Sequence, residues 1–148
     1  MSDFVIEHVL EIDAPAATVW HVIADLERYP EWNAFVVSCR STLEVGAPID
    51  MRVRVLPFLA QPQRETIQEH VPGQRLCYGL PPGATGALAS QRCHHVEALG
   101  PTCARYTSRF QLSGWLAPVV RGLLGAQLRR GFTEMSAGIQ KRAESRAL

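Results

Sequence analysis

From Phe4 to Ile12 apolar and polar side chains alternate, with Ile6, His8, Leu10 and Ile12 on one face and Val5, Glu7, Val9 and Glu11 on the other. A period of two predicts a strand. Asp13-Ala14-Pro15 stops it, and Pro15 suits the first turn of a helix, where its missing N–H costs nothing. Val19, Trp20, Ile23 and Leu26 then recur at helical spacing, which predicts a short amphipathic helix from Ala16 to Leu26. Tyr29-Pro30-Glu31-Trp32-Asn33 breaks that spacing and predicts a tight turn or a short second helix packed on the sheet.

Six further strands are predicted, over 35–43, 49–55, 64–71, 76–80, 89–99 and 103–112. The clearest sets Ile49, Met51, Val53 and Val55 against Asp50, Arg52 and Arg54, one face apolar and one wet, as in an antiparallel sheet. Pro57 and Pro62 are expected to bracket a loop, and Pro81 to Ala87 carries the longest loop signal. From Trp115 to Arg142 the residues Leu116, Val120, Leu123, Leu124, Leu128, Phe132, Met135 and Ile139 keep helical spacing, which predicts a helix about 40 Å long. Gly122, Gly125, Gly131 and Gly138 inside it cost about 1 kcal/mol each relative to alanine. Two readings of them stay open: tolerated drift, or close backbone approach and room for a ligand.

This order defines an α+β fold, with a curved antiparallel sheet of six to seven strands wrapped around a long C-terminal helix and two short helices after strand one. The whole chain, 1–148, is expected to be one domain. A long meander curls, its concave face must be covered, and one helix across it leaves space that side chains need not fill. Parity assigns the concave face Met51, Val53 and Val55, then Leu76 and Tyr78, then Arg92 and His94, then Tyr106, Ser108 and Phe110. A slip of one residue in strand six would instead turn Cys93 and His95 inward, and both parities stay open. Leu124, Leu128 and Met135 would form the roof, and Trp32 is either structural or part of the lining.

Composition narrows the partners. Of 148 residues 47% are apolar and 20% charged, the formal net charge is +1, and no global field favours nucleic acid or an anionic membrane. The apolar stretch from Trp115 to Leu128 is interrupted by Arg121 and too short to span a bilayer, so integral membrane association is not expected. The N-terminus does not read as a secretory signal, and a cytoplasmic protein is expected. Cys39, Cys77, Cys93 and Cys103 lack paired spacing and read as reduced, mostly buried thiols, with no metal site. No Ser-His-Asp order, paired carboxylates or phosphate-cradling loop appears, so neither catalytic residues nor a cofactor are assigned.

Three segments carry a family resemblance: 14–20 (APAATVW) with 25–33 (DLERYPEWN), 45–49 (VGAPI) before an alternating strand, and 110–118 (FQLSGWLAP) at the last strand-to-helix junction. The chain resembles the SRPBCC superfamily of START lipid-transfer domains, polyketide cyclases, aromatase/cyclases and pollen-allergen proteins, and looks most like its small bacterial members labelled polyketide cyclase/dehydrase or lipid transport. The resemblance implies a helix-grip fold and a cavity for a lipid, polyketide or aromatic molecule. It departs from those members at Arg92, His94 and Val96, where they often read His-x-aromatic-x-aliphatic, and at Phe110, where they often carry an acid.

A small hydrophobic ligand is the partner this fold suggests, and three functions remain. A carrier needs one polar group in the cavity or none. A cyclase- or dehydratase-like enzyme needs at least two convergent polar side chains, drawn from Arg92, His94, Tyr78 and Tyr106. A protein-interaction module needs a filled, dry core and an exposed apolar patch. Arg92, if inward, would hold a carboxylate or phenolate bidentately. Arg64 and Glu65 read as solvated ends.

Overall fold

The computed structural model describes residues 3–56 and 58–147. The chain runs β1 (Phe4–Ile12), α1 (Ala16–Ala24), a 3₁₀ turn (Leu26–Glu31), β2 (Val36–Arg40), β3 (Pro48–Leu56), β4 (Leu59–Val71), β5 (Arg75–Gly79), β6 (Ala89–Gly100), β7 (Cys103–Ser113) and α2 (Ala117–Arg146). The strands form one antiparallel sheet in the order β1-β7-β6-β5-β4-β3-β2. Strands two to seven are therefore a meander, and β1 closes beside β7, pairing Phe4 with Leu112 and Ile12 with Ala104. Register shifts at Val36/Ser38, Val53/Leu56, Ile67/Glu69 and Ala98/Gly100 bend the strands, and the sheet curls around α2 in a helix-grip fold.

The short segments after β1 fix where the helix can lie. Tyr29, fully buried, donates its hydroxyl to the Ile23 carbonyl at 2.6 Å. Asn33 Oδ1 accepts the N–H groups of Phe35 (3.0 Å) and Val36 (2.8 Å), and so starts β2. At the far end of α2, Glu144 accepts the Asp13 N–H at 3.0 Å and Arg142 pairs with Glu31. Leu128, Phe132, Met135, Ile139 and Ala143 face the sheet as one buried stripe.

The structure corrects the sequence reading at several points. Strand two ends at Arg40 because the Ser41 hydroxyl donates to the Pro48 carbonyl (2.8 Å) and accepts the Leu43 N–H (3.0 Å), turning the chain early. Pro62 lies inside β4 rather than in a loop. β5 first pairs with β4 at Thr66, so the ladder on that side of Pro62 is unpaired and its missing N–H goes unmissed. Pro57 falls outside the described residues. Cys77 and Cys93 are not reduced thiols: they stand opposite one another on β5 and β6 and form a disulfide, while Cys39 and Cys103 remain free.

The helix glycines divide. A methyl on Gly131 would overlap the Phe35 ring, and one on Gly138 would come within 2.9 Å of the Trp32 carbonyl, so these two permit close approach of the β2 entry to α2. Gly125 has ordinary clearance from Phe4, and Gly122 faces open space.

Candidate functional site

Between the curled sheet and the first half of α2 lies an apolar cavity of about 220 Å³. One wall is Met51, Val53 and Val55 of β3 with Phe35 and Val36. The opposite wall is Phe110 and Leu112 of β7, and Val120, Leu124, Leu128 and Phe132 form the roof. Phe132 ties these walls together, edge-on to Phe35 at 5.0 Å and stacked on Phe110 at 4.6 Å. Tyr78, Arg92, Ser90, Glu65 and Gln63 supply the polar part of the lining.

Strand six settles on the parity that turns Arg92 and His94 inward, opposite Phe110 and Ser108 on β7 and opposite Tyr78 and Leu76 on β5. Arg92 is 3% exposed. Its Nη1 donates to the Ser108 hydroxyl, its Nη2 reaches Tyr106 Oη and Met135 Sδ, both at 3.5 Å, and the guanidinium lies 4.8 Å from the centre of the Phe132 ring. Its Nε has no hydrogen-bond partner. Among the described residues no carboxylate forms an ion pair with it. The carboxylate that shares the cavity wall is Glu65, on β4.

Behind Arg92, His94 is fully buried between two tyrosines. Its Nε2 lies 3.1 Å from Tyr78 Oη and its Nδ1 2.7 Å from Tyr106 Oη. Burial, with the Arg92 charge beside it, holds this histidine well below its ordinary pKa, so the ring is neutral. Burial likewise raises the Tyr78 and Tyr106 hydroxyls. An arginine only donates, so Tyr106 Oη accepts from Arg92 and keeps its own proton for His94 Nδ1. The neutral ring then carries its proton on Nε2 and gives it to Tyr78 Oη. That leaves the Tyr78 hydroxyl proton available to another acceptor. The polar end of the cavity therefore offers hydrogen-bond donors, from Arg92 and from Tyr78.

Glu65 balances them. Burial raises its carboxyl above the usual carboxylate range, opposed by the Gln63 amide bonded to it at 3.1 Å and by the Arg92 charge. The solvated end expected for Glu65 is thus a cavity position. Gln63 and Glu65 share the parity of buried Ile67, which is the sequence signal that could have found them.

Met51, Val53, Val55, Tyr78, Arg92, Phe110, Leu124 and Leu128 line the cavity. His94, Tyr106, Ser108 and Met135 do not. They are buried behind Arg92 and Tyr78 and hold them in place. Trp32 also stands apart, edge-on to Tyr29 at 5.0 Å and against Gly138. Phe35, Glu65, Leu80, Leu88, Ser90, Val120 and Phe132 are lining residues that the parity reading did not assign.

Residues 3–144 match the family described as polyketide cyclase / dehydrase and lipid transport, and the chain belongs to that family. Among solved structures, the Zhui aromatase/cyclase from Streptomyces sp. R1128 superposes with a TM-score of 0.81 at 17% identity, over 99% of this chain and 97% of that one. A START superfamily protein from Mycobacterium smegmatis gives 0.72 at 16% identity, over 97% and 99%. Norcoclaurine synthase from Thalictrum flavum gives 0.69 at 17% identity, over 99% and 98%. At such identities the likeness is one of fold. No curated protein sequence matches the chain. Among the described residues, no helix is long and apolar enough to cross a membrane.

Proposed function

We propose that this protein binds a small, largely apolar ligand in the cavity between β3, β7 and α2, with an oxygen of the ligand turned toward Arg92 and Tyr78. The observation that carries this reading is the cavity itself: about 220 Å³ of space walled by aliphatic and phenyl side chains, with its polar groups gathered on β5, β6 and the neighbouring Gln63 and Glu65 of β4. Such a lining is what small-molecule sites present. An interaction module would instead have a filled core. The family match supports a ligand-binding or cyclase-like role.

A second reading, a polyketide cyclase- or dehydratase-like enzyme, is favoured by one feature. A carrier was expected to place at most one polar group in the cavity, and here Arg92, Tyr78 and Glu65 all line it. In that reading Arg92 and the Tyr78 hydroxyl would polarise a substrate carbonyl, and the His94 relay would supply the proton.

Gentle purification followed by native and denaturing mass spectrometry tests the binding reading. The expected result is a discrete adduct lost on denaturation, or a rise in Tm with small aromatic acids and ketones. A protein that carries nothing and gains no stability from such a panel contradicts it. Arg92→Ala and His94→Ala separate the two readings: retained affinity with lost turnover means an enzyme, and lost affinity alone means a carrier.

A further inference from the structure

We propose that the cavity is selective for a compact anion, an aromatic carboxylate or phenolate of one or two rings whose charged oxygen is held by Arg92. This rests on the binding reading above and specifies its ligand. Two observations carry it, one of charge and one of size.

The first is a buried cation without a direct ion pair. Arg92 is buried, makes no ion pair with any described carboxylate, and leaves its Nε without a partner. Its contacts are a serine hydroxyl, a tyrosine hydroxyl, a thioether and the face of Phe132, none of which carries a full negative charge. Buried charges in folded proteins are normally paired. The Tyr78 hydroxyl adds a donor, so an incoming group meets donors from both β5 and β6, one of them the Arg92 cation. A carboxylate or phenolate brings acceptor oxygens together with the opposite charge; an alcohol oxygen accepts without charge, and an ammonium brings the wrong sign and no acceptor. Glu65 holds the opposite sign on the same wall, and an anion seated on Arg92 must compete with it.

The second is volume. An apolar cavity of about 150 Å³ takes up benzene, and pockets for drug-sized ligands run to about 300–1,000 Å³. The 220 Å³ here lies between them, enough for one or two fused rings and too little to enclose a long acyl chain. The flat lining provided by Phe35, Phe110 and Phe132 suits a ring.

Isothermal titration with naphthoate, its neutral isostere naphthamide, and palmitate tests this. Wild-type protein is expected to bind naphthoate at least roughly tenfold more tightly than naphthamide, with palmitate weaker than naphthoate. Arg92→Gln should weaken naphthoate roughly 10–100-fold and naphthamide by a clearly smaller factor, closing the gap between them. Glu65→Gln guards against an Arg92 variant that fails to fold, and it should tighten naphthoate while sparing naphthamide. Equal binding of naphthoate and naphthamide, insensitive to Glu65→Gln, overturns the anion proposal and leaves the cavity reading standing. Palmitate binding more tightly than naphthoate overturns the compact-ring part of the proposal and likewise leaves the cavity reading standing. Binding of none of the three, in a protein whose fold is intact, removes both.

Discussion

Two alanines in one helix should move stability in opposite directions. Gly122→Ala adds a methyl where nothing lies within contact, on an exposed face of α2. It should gain most of the helix-propensity difference, about 0.5–1 kcal/mol. Gly131→Ala gains the same difference, but its methyl would overlap Phe35, a ring 2% exposed and braced edge-on against Phe132. A buried phenyl between a strand entry and a helix has little room to yield, and overpacking of this kind costs about 1–3 kcal/mol. The net expectation is a loss of about 1–2 kcal/mol for Gly131→Ala against a gain below about 1 for Gly122→Ala, or Tm shifts of a few degrees of opposite sign. Phe35 is also cavity wall, so the displaced ring should narrow the cavity and weaken ligand binding with it. Urea denaturation of the two variants and the double variant measures this. Equal stabilisation by both alanines would refute the close-approach account of α2.

The buried neutral His94 makes stability pH-dependent. Its folded pKa is depressed, so its contribution is complete above the unfolded value, about 6.5, and is lost as pH falls below it, at up to about 1.4 kcal/mol per unit. His94→Gln should flatten the slope of stability between neutral and mildly acidic pH relative to wild type, whatever it does to the level; an unchanged slope would mean the ring is not buried neutral. The Cys77–Cys93 disulfide closes a loop across a sequence separation of 16, and the chain-entropy account gives such a link about 3 kcal/mol. Reductant should lower the urea midpoint of wild type and not that of Cys77→Ala/Cys93→Ala, and alkylation of the denatured, unreduced protein should label two thiols, Cys39 and Cys103.

The elements that repeat a period over many residues were legible in the sequence. β3 shows a wet face against a dry one, and α2 keeps its stripe through four glycines, which is why the grip architecture is legible in the chain. What was not legible depended on partners distant in the chain. Residues 90–95 carry a polar or small side chain on both faces, so alternation alone gave no parity; Ser108, Tyr106 and Tyr78 decide it by receiving Arg92 and His94. Cys77 and Cys93 lack motif spacing because their pairing comes from β5–β6 register. Glu65 looked solvated because its charge outweighed its parity with Ile67. Tyr106, Ser108 and His94 fall on the cavity face by parity, yet stand behind its wall, because parity gives a face and not a depth.

The most direct test of the central claim is a crystal structure of the protein grown with naphthoate. The expected result is ring density among Val53, Phe110, Leu124 and Phe132, with the carboxylate on Arg92 and the Tyr78 hydroxyl within hydrogen-bond distance. A cavity closed by collapse of these side chains, with the ligand absent or bound elsewhere on the surface, would contradict it.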